Sequence, residues 1–177
     1  MALNTASRMK TSTDGKVVVG VSDLAVVKDP NATIITYALG SCIGVTVYDP
    51  IAHVGGMLHY LLPSGRNSPA KVQANPAMFG DSGIPLLIES AKKLGASESR
   101  LIVCAAGAGE VMNVQGECKF KIGARNRTVL RKMLWKMNIL LKSEDTGGTI
   151  SRTLSLNLDT GLVRVRSQGK ESLLWPK

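Results

Sequence analysis

The chain has 177 residues, 44% hydrophobic and 20% charged, enough for one domain with a sizeable core, and it contains no apolar run near the roughly 20 residues that a membrane-spanning helix needs. A formal net charge of +9 points to an acidic partner, but aromatics at 4% leave few stacking platforms and no nucleic-acid-binding motif is present, and an acidic protein surface fits equally well. Cys42, Cys104 and Cys118 lack Cys-x-x-Cys spacing and the only histidines are His53 and His59, so neither a disulfide framework nor a metal site is indicated and no cofactor is expected.

Residues 1–15 are Ser- and Thr-rich without the apolar stretch of a secretory signal. They read as a flexible N-terminal tail ahead of one domain over 16–177, with a cytoplasmic location as the default. Residues 16–20 read as a short strand, and 22–27 as another strand or a turn of chain before Asp29-Pro30. Residues 33–39, 43–48 and 54–62 are β-branched and apolar and read as three strands of a central sheet. Between the last two, Asp49-Pro50-Ile51-Ala52 is a turn signal. As a four-residue hairpin loop it sets Tyr48 opposite His53 and Cys42 opposite His59. Directly opposed residues have Cβ atoms about 4.5–5.5 Å apart; a bulge at Gly55-Gly56 would change that register.

A thiol beside an imidazole is an activated nucleophile: the imidazole takes the thiol proton, and the resulting imidazolium favours thiolate. Gly40 permits close backbone approach, so the Cys42 N–H and a neighbouring one can face a developing oxyanion. Thr36 lies an even number of residues before Cys42. On the same face, its hydroxyl would accept from the other imidazole nitrogen and fix the tautomer. Spacing alone leaves the ordinary alternative open, in which Cys42 is a small buried hydrophobe and His59 a satisfied core residue.

Residues 63–71 form a turn-rich loop that leaves the His59 strand, either lining the site or serving as a surface connection. Residues 82–94 carry Ile84, Leu87, Ile88, Ala91 and Leu94 at helical spacing, with Asp81 or Ser82 as cap. Residues 101–106 read as a buried strand in which Cys104 is core. A second helix over 126–137 has Val129, Leu130, Met133, Leu134 and Met137 on its apolar side. Its other side bears Arg127, Arg131, Lys132 and Lys136, with Arg125 just before. That basic side is either a docking face for an acidic partner or a solvated surface. Strands follow at 139–143, 150–158 and 162–166, the last two as a hairpin around Asp159-Thr160-Gly161. The short connections make the class α+β with mostly antiparallel strands.

Thr36-Tyr37-Ala38-Leu39-Gly40-Ser41-Cys42, followed by Gly55-Gly56-Met57-Leu58-His59 and Leu62-Pro63, resembles the signature of CheD, the chemoreceptor glutamine deamidases. The likeness continues through residues 81–95, 122–126, Gly147-Gly148 and Thr160-Gly161, and spans nearly all of the chain after the first fifteen residues. The resemblance implies a three-layer α/β/β sandwich with about two main helices. It assigns Cys42 as nucleophile, His59 as base and Thr36 as the third catalytic position. It further implies conversion of receptor glutamine side chains to glutamate through a cysteine thioester in bacterial chemotaxis adaptation; the same thioester route would serve methyl-ester hydrolysis at glutamate. The implied partners are the chemoreceptor (methyl-accepting chemotaxis protein) cytoplasmic domain and a CheC-type response-regulator phosphatase, without nucleic acid or membrane insertion. The competing reading is a non-catalytic regulator of such a phosphatase; a basic nucleic-acid-binding domain ranks third. One departure is visible: Ala105-Ala106-Gly107-Ala108 stands where the family has an aromatic-Gly-Gly-Ala run, which bears on the aromatic's contacts rather than on the catalytic constellation.

Overall fold

Every residue of strands β4 (Ile43–Asp49) and β5 (Val54–Tyr60) is buried, although successive side chains point to opposite faces. Such burial requires cover on both sides, and the computed structural model, which describes residues 15–110 and 121–176, shows what supplies it. The strand order β2-β5-β4-β6-β7 forms one sheet, with β2 at Asp23–Val27, β6 at Ile102–Gly107 and β7 at Leu141–Thr146. A second sheet has the order β1-β3-β8-β9-β10, with β1 at Lys16–Val18, β3 at Thr33–Leu39, β8 at Arg152–Asn157, β9 at Val163–Ser167 and β10 at Lys170–Trp175. Among the described strands, only β1–β3 and β6–β7 pair in parallel.

Ile43, Val45, Val47, Leu58 and Tyr60 pack toward helices α2 (Gly80–Lys93) and α3 (Ile122–Lys136), against Ile84, Leu87, Ile88, Leu130 and Leu134. The alternate residues of the same strands, Tyr48 and Met57 among them, meet Ile34, Leu154, Leu156 and Leu158 of the second sheet. The layers are therefore helix, sheet, sheet, as the family resemblance implies. A short helix α1 (Pro69–Ala74) occupies part of the segment read as loop. Strand β10 was not anticipated: its burial pattern is exposed over four residues, without the alternation that marks a half-buried strand.

Three expectations shift in position. Helix α3 starts at Ile122 rather than 126 and α2 at Gly80 rather than 82, because glycines at these starts hid the helical pattern. The third shift concerns the hairpin. Asp49 pairs with Val54, Gly44 with His59 and Ile43 with Tyr60, so the register is two residues away from the expected one. Asp49 ends the strand instead of opening the loop, and its carboxylate accepts from Ile51 N (2.9 Å) and Ala52 N (3.1 Å). His53, at φ 50°, absorbs the extra bend. The ladder runs through Gly55-Gly56 without a bulge, and these glycines instead admit Leu158 and Leu87 close to the strand. Residues 1–14 of the expected tail and Cys118 lie outside the described residues.

Candidate active site

A register shift of two preserves the face, so His59 still looks into the space between the sheets, while Cys42, one residue before β4, packs in the same inter-sheet core and makes no hydrogen bond to the imidazole. Gly44 occupies the position directly across from His59. A Cβ there would come within 2.9 Å of Leu154, 3.0 Å of Leu39 and 3.3 Å of Thr36, so the bare backbone lets these side chains of the second sheet, Thr36 among them, pack close against β4.

Thr36 approaches from the other sheet, where β3 pairs with β8 through Thr36 and Leu154. Its Oγ1 lies 2.7 Å from His59 Nδ1 and 2.7 Å from the Val19 carbonyl oxygen. The proton positions follow from counting. A hydroxyl has one proton and the Val19 carbonyl can only accept, so Thr36 donates to Val19 and accepts from His59 Nδ1–H. The lone pair is thereby placed on Nε2. That atom is buried and has no hydrogen-bond partner among the described residues.

Both His59 and Thr36 are fully buried and Cys42 is 9% exposed. Burial pushes the His59 pKa from 6.5 down to about 4. Burial also pushes the Cys42 thiol above its ordinary value near 9, offset only in part by its own backbone N–H. The resting pair is thus neutral imidazole and neutral thiol. The expected thiolate–imidazolium ion pair is not the resting form, because two charges here would forfeit hydration on both groups.

The cysteine loop is tied down carbonyl by carbonyl. Gly109 N donates to Gly40 O (2.8 Å), Asn126 Nδ2 to Ser41 O (2.8 Å), and Ala108 N to Cys42 O (2.7 Å). Asn126 also donates to Leu61 O (3.1 Å), joining the ends of the cysteine loop and the histidine strand. Gly107, at φ 116°, passes so close that a Cβ would sit 2.3 Å from Cys42 O, so this position requires glycine. Arg152 steadies the strap, donating to Gly107 O (3.5 Å), Ile150 O (3.0 Å) and Asp145 (2.9 Å). With these carbonyls engaged and Gly40 N donating to Ala38 O (2.9 Å), the N–H groups of Ser41 and Cys42 have no acceptor on another described residue. A groove of about 460 Å³ lined by Tyr37, Arg152, Arg166 and Gln168 lies on the second sheet; Tyr37 points opposite to Thr36 along β3, so this groove belongs mainly to the outer face.

Against known proteins, a family model described as "CheD chemotactic sensory transduction" matches residues 61–167. A protein of Solibacter usitatus (strain Ellin6076) named "Probable chemoreceptor glutamine deamidase CheD" is 47% identical over 161 residues, covering 91% of this chain and 94% of that protein. The chain belongs to the CheD family. CheD-named proteins of the same description from Syntrophus aciditrophicus (strain SB) and Pyrococcus horikoshii are 43% and 44% identical, covering 88% of this chain each and 96% and 95% of their own lengths.

Within this CheD chain, Ala105 and Ala106 are core residues. Ala105 is fully buried on the helix side of β6 and Ala106 between the sheets, while Gly107 keeps the one glycine that backbone contact demands. Sequence reasoning missed Val19, Asn126 and Arg152. Val19 acts through its carbonyl, which no side-chain pattern reveals. Asn126 stood inside a quoted motif, and an asparagine on a helix otherwise carrying cations and apolar residues was the available signal. Among the described residues no three His, Cys, Asp or Glu side chains gather as metal ligands, and no helix is long and apolar enough to cross a membrane.

Proposed function

We propose that this chain is a chemoreceptor glutamine deamidase in which Cys42 is the nucleophile, His59 the base and Thr36 the residue that orients the base. One observation carries the reading: a fully buried imidazole is fixed as the Nδ1–H tautomer by Thr36, and its Nε2 lone pair is left unused, in the inter-sheet layer that also holds Cys42. An unsatisfied buried acceptor costs about 1–3 kcal/mol, and a purely structural histidine would have been given a donor. Family membership and the names of the relatives select glutamine on a chemoreceptor as the substrate.

In the first step the Cys42 Sγ–C bond forms at the glutamine carboxamide, the carbonyl electrons move to oxygen, and the thiol proton passes to His59 Nε2. The N–H groups of Ser41 and Cys42 are the donors for that oxyanion, because the carbonyls around them are already engaged. The tetrahedral species collapses with cleavage of the C–N bond, and His59 Nε2–H protonates the leaving nitrogen, which departs as ammonia. Water attacks the thioester while His59 takes its proton, the C–S bond breaks, and Cys42 recovers its proton as glutamate is released. The same sequence with methanol as leaving group gives methyl-ester hydrolysis at glutamate.

The test is incubation of purified protein with a receptor cytoplasmic fragment, reading ammonia and the Gln-to-Glu mass change. Wild type and Cys104→Ala should both be active and Cys42→Ala inactive. Wild-type turnover in Cys42→Ala would refute the assignment. A non-catalytic regulator of a CheC-type phosphatase would release no ammonia in any of the three.

A further inference from the structure

Trp135 is 80% exposed and Leu140 is 67% exposed, although both sit beside residues that are well buried. Helix α3 turns Leu130 and Leu134 inward, while Arg131, Lys132 and Trp135 follow one another around its outer side. The helix then closes with Asn138 at φ 55°, where Ile139 N bonds Leu134 O (2.9 Å) and Asn138 N bonds Trp135 O (3.0 Å). This closure buries Ile139 and brings the chain back past the last helical turn. Leu140 therefore emerges at the same end of the molecule, followed by exposed Lys142 on edge strand β7.

The charge around this apolar pair has one sign. Helix α3 has no acidic residue and carries Arg125, Arg127, Arg131, Lys132 and Lys136. Arg131 is paired with Glu144, and Arg127 lies against Gly147, where a Cβ would be 3.0 Å from its Nη1. Lys132, Lys136 and Lys142 have no carboxylate partner among the described residues. A solvated basic face explains the lysines but not the tryptophan. Exposed Trp with a rim of cations is the composition of an interface centre that selects an acidic surface.

We propose that Trp135 and Leu140, rimmed by Lys132, Lys136 and Lys142, form a second docking surface that holds a glutamate-bearing segment of the protein substrate while another segment occupies the Cys42 site. The inference rests on the deamidase reading, and the chemistry of that reaction supplies the complementarity. Each turnover replaces a neutral carboxamide with a carboxylate, so a substrate with several sites becomes more acidic beside its remaining glutamines. Geometry allows both segments to bind together. Asn126 touches the Cys42 loop, and Trp135 lies nine residues further along the same helix, about 14 Å along its axis.

The test compares wild type, Trp135→Ala and Lys132→Glu/Lys136→Glu on a receptor cytoplasmic fragment, with alkylation of Cys42 by iodoacetamide as a control for the site. Both variants should lose about tenfold or more in kcat/KM on the fragment at low salt and keep wild-type alkylation rates. The charge-reversal loss should shrink as salt rises, while the Trp135→Ala loss persists. Binding of the fragment to inactive Cys42→Ala should weaken in parallel when Trp135→Ala is added. Equal fragment rates in all three proteins would overturn the docking surface and leave the deamidase reading standing. Wild type that deamidates nothing, with fragment binding that still depends on Trp135, would overturn the deamidase reading and leave the surface standing. Trp135-dependent binding to phosphatidylserine vesicles with unchanged fragment rates would assign the patch to a membrane and overturn the proposal.

Discussion

The β4–β5 hairpin carries a fully buried polar residue toward each end, and the two are wired in opposite ways. At the turn, Asp49 accepts from Ile51 N, Ala52 N and Ser97 N (2.7 Å) and from Arg100 Nη2 (2.7 Å), so both carboxylate oxygens are engaged. Burial alone would push this carboxyl up, but the Arg100 guanidinium and the three backbone N–H groups outweigh it and hold it well below the usual carboxylate range. At the open end, His59 has one partner on Nδ1 and none on Nε2, and burial pushes its pKa down. The first arrangement stabilises a turn. The second accepts a standing cost and keeps a lone pair available, as the proposed base requires. Satisfaction of the buried group, rather than burial itself, separates the structural end from the one proposed to react.

The largest expected break in this comparison is on the reactive side. His59→Asn should lower deamidation about 10²–10⁴-fold, the range for removing a general acid–base group, and cost some thermal stability, since the shorter amide leaves a cavity and brings buried polar atoms of its own. His53→Ala should change activity little, because His53 sits in the turn at the other end of the hairpin. Kinetics that fell for His53 and not for His59 would contradict the wiring.

The converse belongs to Asp49. Asp49→Ala should cost stability near the lower end of the roughly 3–5 kcal/mol for breaking a buried ion pair, since Arg100 is 39% exposed and can be rehydrated. Because the folded carboxyl titrates below its unfolded value, its contribution is present at neutral pH and lost as pH falls below about 4. His59 adds a second component: its folded pKa is about 4 against 6.5, so stability also declines as pH falls from 6.5 toward 4. Denaturant titrations from pH 7 to 3 should lose the upper component in His59→Asn and the lower one in Asp49→Asn.

A smaller effect is expected from Thr36→Val, which keeps the shape and removes the acceptor for Nδ1–H. Orphaning a buried donor costs about 1–3 kcal/mol, so the loss in kcat/KM should be about ten- to hundredfold, below that of His59→Asn. Unchanged kinetics would remove Thr36 from the site.

How these two ends could be read from the sequence differs as well. β-branched, apolar runs mark β4 and β5, and parity puts Cys42 and His59 on one side, because a period of two survives any even shift in register. The register itself did not follow, since the role of Asp49 depends on Arg100 and Ser97, about fifty residues away. Thr36 was legible by parity alone, whereas its second bond goes to a backbone carbonyl at Val19. Asn126 and the strap at 107–109 bring distant segments onto the cysteine loop, and no local pattern encodes such contacts. Trp135 carries no pattern of its own in the sequence, and only the burial of Leu134 and Ile139 shows that the helix turns it outward.

The pH dependence of kcat/KM for receptor-fragment deamidation tests the central claim most directly. A neutral pair, with Nε2 as a base of depressed pKa and a thiol of raised pKa, predicts activity on a plateau at neutral pH with an acid limb breaking near 4. An acid limb breaking at 6.5 or above would mean that His59 works as an ordinary or charge-paired imidazole, and would contradict the account.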